Sequence, residues 1–269
     1  LIKVNWENAI YETALLLKKY KSNEIGLIGS AFATNEDNFL LNKLSKQLNT
    51  ENPFILNHVI PGDKDDILIR EDKTPNSFGA VLCGGQQLNS SAKLFDLIKE
   101  KKIKALYVME DDIASLSEEL NEALKSIELL IVHSTNYNKT TGLAHVIFGS
   151  STYAEKHGTM VNFQGRIQRI RPAVASEEMD RALDGMKMSR WDKFGTKFDR
   201  WQQGKKYDSK PSWKIISMLL NQLGVKVQYE MAEDVFTDIS SSKLEFKDLD
   251  YDIIGELGVK IETNQKVNV

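Results

Sequence analysis

The chain has 269 residues, with 35 Lys and Arg against 38 Asp and Glu and a formal net charge of −3. It therefore lacks the concentrated basic surface that nucleic-acid phosphates demand, and no nucleic-acid partner is expected. Its single cysteine, Cys83, excludes internal disulfides, cysteine-rich zinc sites and an all-cysteinyl iron–sulfur cluster held by this chain alone.

The most apolar stretches, 129–132 and 215–220, fall far short of the ~20 residues that span a bilayer. Neither direct membrane insertion nor a signal-like leader is expected, and the length suits two α/β lobes. The chain opens at Leu1 rather than Met, as expected of a fragment or a processed product.

Residues 6–20 place Ala9, Ile10, Thr13, Ala14, Leu16 and Leu17 at helical spacing behind Asn5, an N-cap residue type. Residues 24–30 read as a short buried strand ending in small residues, and 34–48 as a helix with acids in its first turn. Strand, small-residue turn and helix N-terminus fit an anion cradle, or equally a plain αβα unit with a tight connection, because no full glycine fingerprint is present.

Pro53, Pro61, Pro75 and the acidic run 63–66 make 50–76 a loop or lobe crossing. His58 within it is read as a surface histidine rather than a metal ligand. Glycines mark 79–85 as a connector, with Cys83 expected in a buried strand leading into Gly84 and Gly85. Residues 92–101 and 117–125 read as helices, and 103–109 and 129–132 as strands followed by polar loops at 110–112 and 133–136. Helices alternating with short apolar strands imply a parallel sheet. Ligands of such sheets sit beyond the strand C-termini, where the loops after Ile28, Val108 and Val132 converge.

The run 151–168 is the most informative. Gly158 and Gly165 permit positive φ and close backbone approach, while Thr159, Asn162 and Arg166 offer donors at fixed intervals. Such a run either closes a domain as a hairpin or grips an anionic or heteroaromatic ligand. Residues 177–210 are rich in Lys, Arg and Asp around Trp191, Phe194, Phe198 and Trp201, which suits a partner surface or an exposed element with its aromatics packed inward. A helix opened by Pro211 and closed by Gly224 follows, then a helix over 232–240 and a short capping helix within 249–258.

The 151–168 run resembles the Ala-Glu-Lys-x-Gly-Thr-x-x-Asn-x-Glu-Gly-Arg-x-Gln signature of molybdopterin oxidoreductases and of their relative, the large iron–sulfur subunit of NADH-quinone oxidoreductase (respiratory complex I). It matches at Ala154, Glu155, Lys156, Gly158, Thr159, Asn162, Gly165, Arg166 and Gln168, with Gln164 in place of the usual Glu. The likeness continues through 4–9, 28–40, 106–111, 211–213 and 249–258.

The resemblance implies an α/β fold of two interleaved αβα, Rossmann-like subdomains with mainly parallel sheets, one formed by 1–34 and 111–269 and a shortened inserted one by 35–110. It also implies departures from the catalytic relatives. Where a molybdenum enzyme supplies Cys, selenocysteine or Ser, this chain has the stretch 52–58. The loops expected to face the pterin are altered at 133–136 and 144–149.

The expectation is therefore a cofactor-less scaffold region of the complex I large subunit, not catalytic by itself. No catalytic or metal residues are expected, and Glu155, Lys156, Gly158, Thr159, Asn162, Gly165 and Arg166 are degenerate pterin-loop positions. Iron–sulfur clusters would lie in an upstream part. The partners would be other subunits of the peripheral arm, on the cytoplasmic side of the inner membrane. The alternatives are a molybdopterin-dependent, formate dehydrogenase-like catalytic subunit and a free-standing small-molecule binder.

Overall fold

The computed structural model describes residues 1–88, 90–174, 176 and 207–262. The aromatics Trp191, Phe194, Phe198 and Trp201 lie outside the described residues.

The elements of the first half are α1 (Trp6–Leu17), β1 (Ile25–Gly29), α2 (Asn35–Leu48), β2 (Phe54–Leu56), α3 (Ser77–Leu82), β3 (Gln86–Leu88), α4 (Ala92–Lys99) and β4 (Ala105–Met109). They are followed by α5 (Glu118–Leu124), β5 (Leu129–Ser134), α6 (Lys139–Leu143) and β6 (Val146–Gly149). Then come β7 (Gly158–Val161), β8 (Arg166–Ile170), α7 (Ser212–Gln222), α8 (Ala232–Ser242), α9 (Tyr251–Ile254) and β9 (Val259–Lys260).

Six strands form one parallel sheet in the order β3-β2-β1-β4-β5-β6. The α/β, mainly parallel architecture is thus present. Side chains alternate across it with period two. Leu27, Tyr107 and Ile131 enter the core shared with α1, α2, α7 and α8. Ile28, Val108 and Val132 enter the opposite core with Leu94 and Ile98 of α4 and Leu120 and Leu124 of α5. The sheet continues across the 34/35 and 110/111 boundaries, because β1 pairs with both β2 and β4, and β4 pairs with β5.

Caps explain where the helices begin. Asn5 Oδ1 accepts from the Asn8 N–H at 2.9 Å, opening α1. Thr34 and Asp37 cap α2 reciprocally, the Asp37 N–H donating to Thr34 Oγ1 and the Thr34 N–H to Asp37 Oδ2. Pro211 stands at the N-cap of α7, and Gly224, at φ 93, follows its end.

The stretch 50–76, expected as a loop or lobe crossing, instead supplies β2 to the sheet between β3 and β1, and two further expectations need correction. Cys83 is buried, but it caps α3 rather than ending a strand, because Ser77–Leu82 closes helical bonds such as Cys83 N–H to the Gly79 carbonyl at 2.9 Å. β5 runs on to Ser134, so His133 is a fully buried strand residue and not part of a loop. The ladder carries it there, with His133 paired to Met109 on one side and Phe148 on the other.

Candidate functional site at the second helix and the hairpin

The 158–170 segment is an antiparallel hairpin of β7 and β8, extended by β9 into a small three-stranded sheet. The hairpin reading of the motif run is therefore met. Its two glycines do different work. Gly165 sits in the turn at φ 75, a region that a side chain enters only with strain. Gly158 is not left-handed. A Cβ there would come within 2.5 Å of Thr34 Cγ2 and 2.9 Å of Glu36 Oε2, so glycine lets β7 lie directly against the start of α2.

That contact brings the motif residues to three carboxylates of the same chain. Lys156 Nζ donates to Asp37 Oδ2 at 2.9 Å and to both oxygens of Glu110 at 2.8 Å. Its side chain is 1% exposed, and those of Asp37 and Glu110 are 0% and 8% exposed, so solvent screens these pairs little. Among the described residues no cation pairs with Glu36. Glu36 accepts from the Thr159 N–H and hydroxyl at 2.9 Å each and from Tyr251 Oη at 3.0 Å.

Asp37 also accepts the Trp213 N–H at 2.7 Å, which ties α2 to α7. The Ser212 hydroxyl donates to Glu110 Oε1 at 2.7 Å and lies 2.9 Å from His133 Nδ1. Tyr107 Oη meets His133 Nε2 at 2.5 Å. One consistent set of donors runs Tyr107 to His133 to Ser212 to Glu110, with His133 neutral and protonated on Nδ1.

The titration behaviour follows from burial and from this pairing. Burial drives His133 down to about 3 and His157 to about 4. Burial lifts Glu36 to about 7, against the bonds from Thr159 and Tyr251. For Asp37 burial opposes the charge, but Lys156 and the Thr34 cap outweigh it and hold the carboxyl below its usual range. Burial, reinforced by Asp37, raises Glu110 despite Lys156 and Ser212. Burial opposes the Lys156 charge, but its two carboxylates keep the ammonium above its usual range.

The remaining motif residues point elsewhere. Glu155 accepts from the Thr152 N–H at 2.9 Å and its hydroxyl at 3.1 Å, closing its own turn. Asn162 Oδ1 accepts from the N–H groups of Gln164 and Arg166 at 2.9 and 3.0 Å and so shapes the hairpin turn. Arg166 Nη1 donates to the carbonyls of Leu257 and Gly258 at 3.3 and 3.0 Å, fastening the C-terminal segment. Gln164 is exposed, so the departure from Glu falls on a surface position.

The sequence reading missed Glu36, Asp37, Glu110, Ser212 and Asn76 as partners of the motif. Asn76 joins the loop after β1 to β7, donating to the Ala33 carbonyl at 2.8 Å and accepting the Val161 N–H at 2.7 Å. The capping pair Thr34 and Asp37 was the one legible signal. His58, expected at the surface, is mostly buried against Asp111 at 3.0 Å. Asp111 and Asp72 raise its proton affinity against the opposing effect of burial.

Two clefts open where the sheet strands end. One, of about 390 Å³, is lined by Phe32, His58, Ile60, Lys73 and Ser91. The other, of about 1190 Å³, is lined by Trp6, Tyr137, Phe148, Glu155 and Tyr207. Among the described residues no group of three or more His, Cys, Asp or Glu is placed to hold a metal ion.

Residues 74–182 match the family model for molybdopterin oxidoreductase. The chain contains a molybdopterin oxidoreductase-like region. It is 24% identical over 185 residues to a putative formate dehydrogenase of Bacillus subtilis, covering 68% of this chain and 16% of that protein. It is 29% identical over 170 residues to the F420-dependent formate dehydrogenase subunit alpha of Methanocaldococcus jannaschii, covering 61% and 21%. With an NADH-quinone oxidoreductase subunit of Pseudomonas putida it shares 25% identity over 118 residues, covering 43% and 13%. The matches thus span about a fifth or less of these relatives' length.

Proposed function

We propose that this molybdopterin oxidoreductase-like region is a scaffold without a bound pterin, belonging to the large iron–sulfur subunit of an NADH-quinone oxidoreductase. Its work there is to support electron transfer by holding neighbouring subunits, with the iron–sulfur clusters in another part of the longer polypeptide. The peripheral arm of that complex, at the cytoplasmic face of the inner membrane, supplies its partners. Among the described residues no helix is long and apolar enough to cross a membrane, in keeping with a peripheral place.

One observation carries the reading. The Lys156 ammonium, the Thr159 N–H and the Thr159 hydroxyl are all engaged by Glu36, Asp37 and Glu110 of the same chain. With the ammonium shared between Asp37 and Glu110 and both Thr159 donors given to Glu36, these groups have no donor left for a second acceptor, and an anionic pterin cofactor requires free donors. The residues of the hairpin therefore do not fit such a group, and no reaction step is assigned through it.

The second reading is a formate dehydrogenase-like catalytic subunit. It draws on the alignment lengths, since the two formate dehydrogenase matches cover 68% and 61% of the chain and the NADH-quinone oxidoreductase match 43%. Affinity purification of the tagged protein from its native host separates the two. Co-isolation of NADH-quinone oxidoreductase subunits is expected. Isolation with formate-dependent dye reduction and without those subunits would overturn the scaffold reading.

A further inference from the structure

The loop between β2 and α3 holds Ile67 and Leu68 in water, at 86% and 85% exposure. Its backbone is nevertheless tightly fastened. Asp65 Oδ1 accepts the N–H groups of Ile67, Leu68 and Ile69 at 2.8, 2.6 and 2.8 Å, and the Asp65 N–H donates to the Ile69 carbonyl at 3.0 Å.

The neck of the loop closes through an antiparallel bridge between Val59 and Asp72 and through the Ile60 N–H to the Glu71 carbonyl at 2.9 Å. Gly62 N–H donates to Glu71 Oε1 at 3.0 Å. Arg70 stacks on the Phe163 ring at 3.7 Å, docking the loop on the hairpin turn.

Two large aliphatic side chains on an ordered backbone, contributing nothing to the core, suit association. The loop entropy is already lost before a partner arrives, and burying both side chains is then favourable. The charges around them narrow the partner. Residues 63–73 carry Asp63, Asp65, Asp66, Glu71 and Asp72 against Lys64, Arg70 and Lys73, five acids to three bases, a net charge of −2. An anionic lipid surface repels such an apex, whereas a pocket with a basic rim attracts it.

We infer that the Ile67 and Leu68 apex is an anchor that inserts into an apolar pocket, rimmed by Lys or Arg, on a neighbouring protein subunit. The inference rests on the subunit reading above and names a surface that would hold this region in the assembly.

The test compares the tagged full chain with its Ile67→Ser, Leu68→Ser double variant, each purified from the native host in mild detergent. Because both side chains are in solvent, the double variant should melt with the wild type. It should lose the co-isolated NADH-quinone oxidoreductase subunits, with affinity falling by roughly thirtyfold or more, the loss expected from even a single hot-spot contact. Asp66→Lys, which reverses a charge beside the apex, should weaken the same recovery. Equal recovery with wild type and double variant overturns the anchor and leaves the subunit reading intact. A wild-type chain that brings down no such subunit instead overturns the subunit reading. Sedimentation with phosphatidylcholine vesicles, with and without phosphatidylglycerol, is the third arm. Wild-type binding to vesicles that the double variant loses would assign the apex to lipid and overturn the proposal.

Discussion

Lys156 and Asp37, 119 residues apart in the chain, meet at 2.9 Å with both side chains shut away from water. The lysine of the hairpin motif thus acts on the cap of α2, and through Asp37 on the first turn of α7. Removing it leaves two buried carboxylates without a cation. Lys156→Met should destabilise the fold by about 3 to 5 kcal/mol, the range for breaking a buried pair from one side. Urea unfolding measures this. The double variant Lys156→Met, Asp37→Asn should recover part of the loss, because one stranded charge is gone.

Glu36 gives a pH dependence of unusual sign for a carboxylate. Its proton is held in the fold up to about 7, against 4.5 for the ordinary group, so the folded state binds more protons than the unfolded chain across that interval. Its contribution is fully present below pH 4.5 and is lost as pH rises through 7, by roughly 3 kcal/mol in all. Glu36→Gln removes the charge and keeps the shape. It should match the wild type near pH 4.5 and exceed it in melting temperature at pH 8. A variant equally or less stable at pH 8 would contradict the assignment.

His133 works in the opposite direction. Held down to about 3 in the fold, it contributes stability that is fully present above pH 6.5 and declines as pH falls toward 3. Between pH 6.5 and 5 the loss should be about 2 kcal/mol. His133→Gln retains an acceptor toward Tyr107 and a donor toward Ser212 but cannot be protonated. Denaturant titrations at the two pH values should show a smaller acid loss for the variant, and an unchanged loss would count against a buried neutral imidazole.

The two motif glycines separate by substitution. Gly165→Asn should cost only a few tenths of a kcal/mol, since Asn tolerates left-handed backbone. The nearest atom to a Cβ there is the Ile261 carbonyl oxygen at 3.4 Å. Gly158→Ala should cost well over 1 kcal/mol, because its methyl meets the Thr34 cap at 2.5 Å and that cap is bonded on both sides. Thermal melts rank the pair, and the reverse order would refute the distinction.

Much of the fold was legible in local pattern. The buried runs at β1, β4 and β5 and the helices between them announced a parallel sheet, and Gly158 and Gly165 left a hairpin as one of two readings of their run. What was not legible depends on long-range pairing. Nothing near Lys156 in sequence indicates Asp37 or Glu110, and nothing near His58 indicates Asp111, because these contacts exist only once β1 and β4 lie side by side. His133 was read as loop because a histidine after an apolar run looks like an exit to solvent. Its partners Tyr107 and Ser212 make it a core residue. Cys83 was misplaced because glycines on both sides of a short apolar segment suit a strand as well as the two-turn helix that forms.

The central claim is that the hairpin donors are committed to the chain's own carboxylates and hold no pterin. The most direct measurement is pterin fluorescence of the denatured protein, with molybdenum and tungsten by mass spectrometry, after expression in molybdate-supplemented cells. The account predicts that pterin and both metals fall far below one equivalent, in the wild type and equally in Thr159→Val. Near-stoichiometric pterin in the wild type that falls in Thr159→Val would contradict it, and would place a ligand on the donors here assigned to Glu36, Asp37 and Glu110.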